Sequence, residues 1–271
     1  MDRIAVVTGG SKGIGLSTVR TLRAEGARVV VASRKSSADL DALAGPGLVH
    51  LPVDLTDPAA PATVVAHAVD VFGGLDVLVN NAVGPPPGVS LPRFSFLPLT
   101  DDDWREMFEF NLFSAVRACG AAIPVMVERG GGAIVNVSSA VARQPGAVNV
   151  DYSAAKAAMT NLDQGPLRGV RPAGRARRHR LPGTGAHPVV DRRGRRRRRP
   201  RCRLRLRPRG RHGAGRPGDD GAAPGRLLDP QEVADVIALL ASPRSASTTG
   251  ADVLVDGGFH KGVQCPPPEV R

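Results

Sequence analysis

Tyr152 and Lys156 stand four residues apart in Tyr152-Ser153-Ala154-Ala155-Lys156. In helix-forming sequence that spacing projects both side chains from one face, within reach of each other. A free tyrosine has a pKa of about 10 and exchanges protons poorly at neutral pH. A lysine ammonium roughly 4 Å away, at an effective dielectric of about 20, favours the phenolate by about 4 kcal/mol. A fall of about one to three pKa units is therefore the expectation. Such a phenol can pass a proton to or from a carbonyl or alcohol oxygen. Ser139 lies thirteen residues before Tyr152 and could bring a hydroxyl beside the phenol. Ser138 competes with it, and only the spacing favours Ser139. Asn111 sits in an apolar helical pattern with Phe108, Leu112, Ala115 and Ala118. It reads either as a satisfied core amide or as a point where the helix kinks to hold a water.

These residues need elements to hold them. Ile4-Ala5-Val6-Val7 is an apolar run suited to a buried parallel strand. It leads into Thr8-Gly9-Gly10-Ser11-Lys12-Gly13-Ile14-Gly15 and then a helical pattern through Leu16, Val19 and Leu22. Strand, glycine-rich turn and helix in that order build a phosphate site. The glycines admit a pyrophosphate to the backbone, and the helix N-terminus offers free N–H groups and a positive dipole end. A second strand, Arg28 to Ala32, is followed by Ser33-Arg34-Lys35. An acidic residue at this place would accept from a ribose 2′-hydroxyl, whereas arginine accommodates a 2′-phosphate. Ser33, Arg34 and Lys35, with Lys12, thus favour NADP over NAD.

Val49 to Val53 reads as a third strand ending at Asp54, and residues 57 to 72 suit a surface helix. A fourth strand, Leu75 to Val79, runs into Asn80-Asn81-Ala82, at the strand end where such sheets bind ligands. A Pro- and Gly-rich stretch from Gly84 to Pro98 forms a long loop, a candidate lid. Thr100-Asp101-Asp102-Asp103 supplies a cap and negative charge for a helix beginning near Trp104. Ala133 to Val137 is a fifth strand. Strands alternating with helical patterns indicate an α/β fold, a doubly wound parallel sheet in a single domain spanning 1–271.

With these motifs assembled, the chain resembles the short-chain dehydrogenase/reductase family, in particular members that reduce 3-oxoacyl groups on a carrier protein. The resemblance rests on the T-G-x-x-x-G-x-G turn, Asp54, Asn80-Asn81-Ala82, and the set Asn111, Ser139, Tyr152 and Lys156. It resumes from Gly225-Arg226-Leu227 through the helix Glu232 to Ala241 and Thr249-Gly250 to Asp256-Gly257-Gly258. It implies Tyr152 as general acid/base, with Lys156 holding the nicotinamide ribose and lowering the phenol's pKa. Ser139 would bond the substrate oxygen, and Asn111 would position a water behind Lys156. Cofactor-binding residues would be Thr8, Gly9, Ser11, Lys12, Gly13, Ile14, Gly15, Ser33, Arg34, Lys35, Asp54, Leu55, Asn81 and Ala82, together with Tyr152 and Lys156. A homo-oligomer, dimer or tetramer, is also implied. One departure stands out: the family usually has glycine after N-N-A, and here Val83 intervenes before Gly84.

The net charge of +12 would ordinarily point to nucleic acid or a membrane surface. Its distribution says otherwise. Between Asp163 and Pro224 there are 20 arginines and 4 acidic residues, a net of +16, so the remainder sums to −4. Across this stretch prolines and glycines are too dense for helical or strand periodicity. A long helix, a sixth strand and a Pro-Gly substrate loop are expected there by resemblance. Arg, Gly, Pro and Ala dominate when a GC-rich gene is read out of frame. Back-translating from Leu162 with GC-rich codons and shifting one base restores a string containing V-R-V-D-T-V-S-P-G-P-V, the expected strand and loop. Two compensating indels, one near codon 163 and one shortly before Pro224, would produce the sequence as it stands.

Cys119, Cys202 and Cys265 are odd in number and far apart, which argues for a reducing, cytoplasmic setting and against a zinc site. No apolar run approaches a membrane span, and the scattered histidines, His50 among them, read as surface or loop residues. The functional expectation is an NADP(H)-dependent reductase interconverting a ketone and a secondary alcohol, on a small or carrier-bound substrate. The alternative is a catalytically impaired scaffold whose arginine block binds nucleic acid non-specifically. That block lacks interleaved aromatics and any reader module.

Overall fold

Every residue of strand β1 (Ile4–Thr8) is buried, because it lies at the centre of a five-stranded parallel sheet ordered β3-β2-β1-β4-β5. The computed structural model describes residues 3–85, 89, 95–164 and 228–257, all within one compact unit. The other strands are β2 (Arg28–Ser33), β3 (Leu48–Pro52), β4 (Val77–Asn80) and β5 (Ala133–Asn136). Central parallel strands are covered on both faces, so they read as unbroken valine-rich runs rather than alternating ones. Val29, Val30, Val31 and Ala32 are all fully buried.

One face of the sheet, through Ile4, Val6, Val30 and Leu78, packs on α3 (Ala60–Phe72) and α5 (Ser114–Glu128). The other, through Ala5, Val7, Val29, Val31, Val77 and Val79, packs on α1 (Gly13–Ala24) and α7 (Pro230–Ala241). β1 pairs with β2 on one side and β4 on the other, so the strand order reverses at β1. Crevices outside the carboxyl ends of strands at such a reversal are where open α/β sheets bind ligands. The glycine turn follows β1 there and Asn81-Ala82 follows β4.

Element boundaries differ from the sequence reading by a few residues. A one-turn helix α2 (Ala38–Asp41) was not anticipated; Ser37 caps it, its Oγ accepting from Leu40 N at 3.1 Å. α4 (Asp101–Phe108) starts three residues before Trp104, because a capping box closes on Thr100: Thr100 Oγ1 accepts from Asp103 N, and Asp103 Oδ2 accepts from Thr100 N at 2.8 Å. A π-helical turn, Glu109–Phe113, joins α4 to α5. The resulting 28-residue helix Asp101–Glu128 is apolar and long enough to cross a membrane by composition, contrary to the expectation of no such run. Its buried face, Met107, Asn111, Ala115, Ala118, Cys119, Ala122 and Met126, instead packs within the protein. α6 (Val150–Gln164) carries Tyr152 and Lys156 and continues two residues into the anomalous segment. The rest of that segment lies outside the described residues, as do Pro182 to Thr184, Cys202, Cys265, His179, His187, His212 and His260.

Candidate active site

Gly9 has a left-handed φ of 65°, and a Cβ on it would come within 2.9 Å of Ala82 Cα. A Cβ on Gly15 would collide with Gly9 O and the Asn81 amide. At Gly9 and Gly15 the turn is thus closed against the end of β4 with no room for a side chain. Thr8 and Asn81 fasten it: Thr8 Oγ1 accepts from Asn81 N and Ala82 N, each at 3.0 Å, and Asn81 Nδ2 donates to Thr8 O at 2.9 Å and Gly9 O at 3.2 Å. No side chain caps the start of α1, where Lys12 is the N-cap residue. Its first-turn N–H groups therefore face the crevice without a side-chain acceptor, which suits an anionic group such as a pyrophosphate. Gly13 and Lys12 are exposed and Ser11 and Ile14 half-buried along the same turn.

Beyond β2, Arg34 and Lys35 are exposed and Ser33 half-buried. The segment is tied to the glycine turn by Ser37 Oγ, which donates to Ser11 O at 2.6 Å. Asp54 is exposed and closes its own turn, Oδ1 accepting from Thr56 N at 3.0 Å and Thr56 Oγ1 at 2.9 Å, while Leu55 is buried. The histidine reading needs correction at one place. His50 lies on β3, half-buried, with Nε2 2.9 Å from Ser33 Oγ. Its sequence neighbours give no sign of this, because the contact depends on the pairing of Val31 with His50 across two strands.

Beyond β5, the Ser139 hydroxyl lies near enough to the Tyr152 phenol to hold its pKa down. Ser138 turns elsewhere: its Oγ donates to Lys156 O at 3.1 Å and lies 2.7 Å from Thr160 Oγ1, fixing the end of β5 to α6. Asn149, in a left-handed conformation (φ 53°), opens α6 and accepts from Ser153 N and Ser153 Oγ. Asparagine tolerates that conformation better than most residues. Burial pushes the Tyr152 phenol above its ordinary pKa, with the Ser139 hydroxyl pulling the other way.

This overturns the expectation that Lys156 lowers the phenol's pKa. The Lys156 side chain is fully buried, and Nζ donates to Val137 O at 2.9 Å, with Met159 Sδ at 3.4 Å. The amine donates to the carbonyl at the end of β5, and Lys156 is not among the groups that shift the phenol's pKa. Burial brings Lys156 itself down to about 8. Asn111 is the satisfied core amide of the two readings the sequence left open. It lies in the π-turn, and its amide is fully engaged: Nδ2 donates to Gly84 O at 2.8 Å and Met107 O at 3.0 Å, and Oδ1 accepts from Gly84 N at 3.1 Å.

A sequence model described as short chain dehydrogenase matches residues 3–172. The chain belongs to the short-chain dehydrogenase/reductase family. A second model, described as enoyl-(acyl carrier protein) reductase, matches residues 216–260. This dehydrogenase/reductase is 35% identical over 269 residues to cis-4-hydroxycyclohexanecarboxylate dehydrogenase of Sinomonas cyclohexanicum, covering 95% of this chain and 96% of that one. A structure of the TT0495 protein from Thermus thermophilus superposes with a TM-score of 0.68 at 27% identity, covering 95% of this chain and 99% of that one. L-sorbose reductase from Gluconobacter frateurii, solved with NADPH and L-sorbose, aligns with a TM-score of 0.54 at 32% identity over 60% of this chain and 62% of that one. The enzyme is therefore an oxidoreductase acting between CH–OH and C=O groups and using a nicotinamide cofactor.

A cavity of about 1060 Å³ in this dehydrogenase/reductase does not coincide with the crevice at β1. It opens beside β5 between Ile123 and Met126 on one side and Val233, Ile237 and Leu240 on the other, and reaches the site only at Ser138, Ser139 and Ala140. Among the same residues β5 is the edge strand, pairing with β4 alone. The size of this cavity reflects that edge, and the Ser139–Tyr152 pair marks the chemistry better than volume does.

Proposed function

We propose that the enzyme is an NADP(H)-dependent ketoreductase, interconverting a ketone and a secondary alcohol and running toward the alcohol. The nearness of the Ser139 and Tyr152 hydroxyls carries this reading, because one carbonyl oxygen could meet both. The glycine turn and the uncapped start of α1 would hold the pyrophosphate, and Arg34 and Lys35 a 2′-phosphate. The cofactor supplies the hydride that the carbonyl carbon receives. Tyr152 gives its proton to the carbonyl oxygen as charge develops there, and Ser139 donates a second hydrogen bond to that oxygen. A phenol whose pKa burial has raised is protonated at neutral pH, the state an acid in the reductive direction needs.

Lys156 keeps Val137 O and the β5–α6 junction in register, and so places Ser139 against Tyr152. The substrate is a small or carrier-bound ketone, the protein a cytoplasmic homo-oligomer, and nucleic acid no partner. NADPH oxidation against a panel of ketones tests the reading. Turnover that vanishes in Tyr152→Phe and is faster with NADPH than with NADH supports it, and undiminished turnover in Tyr152→Phe removes the mechanism.

A further inference from the structure

The hydrogen bonds around Ser33 assign one tautomer to His50. His50 Nε2 lies 3.2 Å from Ser33 O as well as 2.9 Å from Ser33 Oγ. A carbonyl oxygen can only accept, so Nε2 carries a proton. Ser33 O also accepts from Val53 N at 3.1 Å, which fills both its lone pairs. Ser33 Oγ donates its single proton to Lys35 O at 3.0 Å and is therefore an acceptor toward the imidazole. The hydroxyl has no proton left for a ligand. Ser33, expected from the sequence to touch the cofactor, is occupied in holding its own turn.

The stretch 33–37 is consequently held at both ends. His50 grips it at Ser33, from a strand whose register is fixed by Val31 pairing with His50. Ser37 grips it at Ser11 O, within the glycine turn. Between the two grips stand Arg34 and Lys35, both exposed and without regular secondary structure of their own. Cations on a loose loop lose conformational freedom when they close on a phosphate, whereas a preformed loop has already lost it.

We propose that His50 is a positioning residue for cofactor choice: by fixing Ser33 from β3, it presents Arg34 and Lys35 to the 2′-phosphate of NADP(H). This rests on the NADP reading above. The discrimination it predicts falls on the phosphate alone. The pyrophosphate would be held by the glycine turn, whereas the His50 side chain's hydrogen bonds among the described residues go to Ser33.

Calorimetric titration of the full-length chain with NADPH and with NADH tests this without requiring turnover. Wild type should bind NADPH more tightly. His50→Ala should weaken NADPH binding roughly five- to tenfold while changing NADH by less than about twofold. His50→Gln, which keeps a terminal N–H donor, should recover part of the loss. Wild type preferring NADPH with an unchanged preference in His50→Ala overturns the inference while leaving the cofactor reading intact. Equal binding of both cofactors by wild type overturns the two together. Should His50→Ala fold poorly, a proton–nitrogen correlation spectrum of histidine-labelled wild type decides the tautomer: a proton on Nδ1 alone refutes the donation from Nε2 to Ser33 O.

Discussion

The Asn111 side chain clasps Gly84 through both of that residue's backbone groups, accepting from Gly84 N at 3.1 Å and donating to Gly84 O at 2.8 Å. Gly84 has a φ of 140°, a conformation L side chains rarely adopt, and it opens the Pro-rich loop after β4. The same amide donates to Met107 O, a carbonyl one turn back along the helix that passes through the π-turn. One side chain thus joins the helix to the loop.

Asn111→Ala removes three hydrogen bonds from a fully buried position and leaves peptide groups of Gly84 facing no partner from residue 111. The expected cost is about 2–3 kcal/mol of stability, read as a lower denaturation midpoint in urea with the slope unchanged. A variant within about 0.5 kcal/mol of wild type would mean that the clasp contributes nothing beyond what water replaces.

The strands and the glycine turn were legible because buried parallel strands are runs of valine and isoleucine, and because Gly9 and Gly15 admit nothing else. The thirteen-residue spacing of Ser139 and Tyr152 showed that the two could come together, and Ser139 does bear on the phenol's pKa. The direction of Lys156 was not, since helix geometry puts its amine near Tyr152, and only the position of Val137 O decides where it turns. His50 was invisible for a related reason: its partner lies on another strand, and register is a property of the folded sheet. Helix α2, at one turn, is too short for periodicity to reveal.

Removing the Ser139 hydroxyl should move the Tyr152 titration upward. Burial raises this phenol's pKa and the Ser139 hydroxyl opposes that rise, so Ser139→Ala leaves burial unopposed. Phenolate absorbance of the chain's single tyrosine reports the midpoint directly. The alkaline limit of ketone reduction should follow it to higher pH, while kcat falls roughly 10²–10³-fold with the lost donor. A midpoint that stays or falls contradicts that opposition.

Lys156 makes stability depend on pH in an unusual direction. Its folded pKa of about 8 lies below the ordinary 10.5, so between those values the unfolded chain binds more protons than the native one. Stability contributed by this group therefore rises with pH from about 8 to 10.5, and below 8 the full cost of burying an ammonium remains. Lys156→Met should abolish that rise and stabilise the protein by about 1–3 kcal/mol below the window, while impairing activity. Thermal melts across the window, wild type against variant, measure the difference. Parallel pH profiles would show that the amine is not buried as a cation.

The matches to the family stop at residue 172 and resume at 216, and among the described residues β5 pairs with β4 alone. A strand on its other side would be covered from both faces, by Ile123 and Met126 and by Val233, Ile237 and Leu240, and would have to be rich in β-branched residues. Between residues 165 and 227 no more than two large apolar residues stand in succession, as at Val189-Val190, and arginine interrupts the rest. The one-base-shifted string V-R-V-D-T-V-S supplies β-branched residues, valine, valine and threonine, at alternate positions. We infer that two compensating indels, near codon 163 and shortly before Pro224, separate this chain from an active parent. Resequencing the gene should reveal both, and the frame-restored protein should melt at higher temperature and reduce ketones that the literal chain leaves untouched. An uninterrupted frame encoding these arginines, in a protein as stable and active as its restored counterpart, would show that the arginine-rich segment is native to the enzyme.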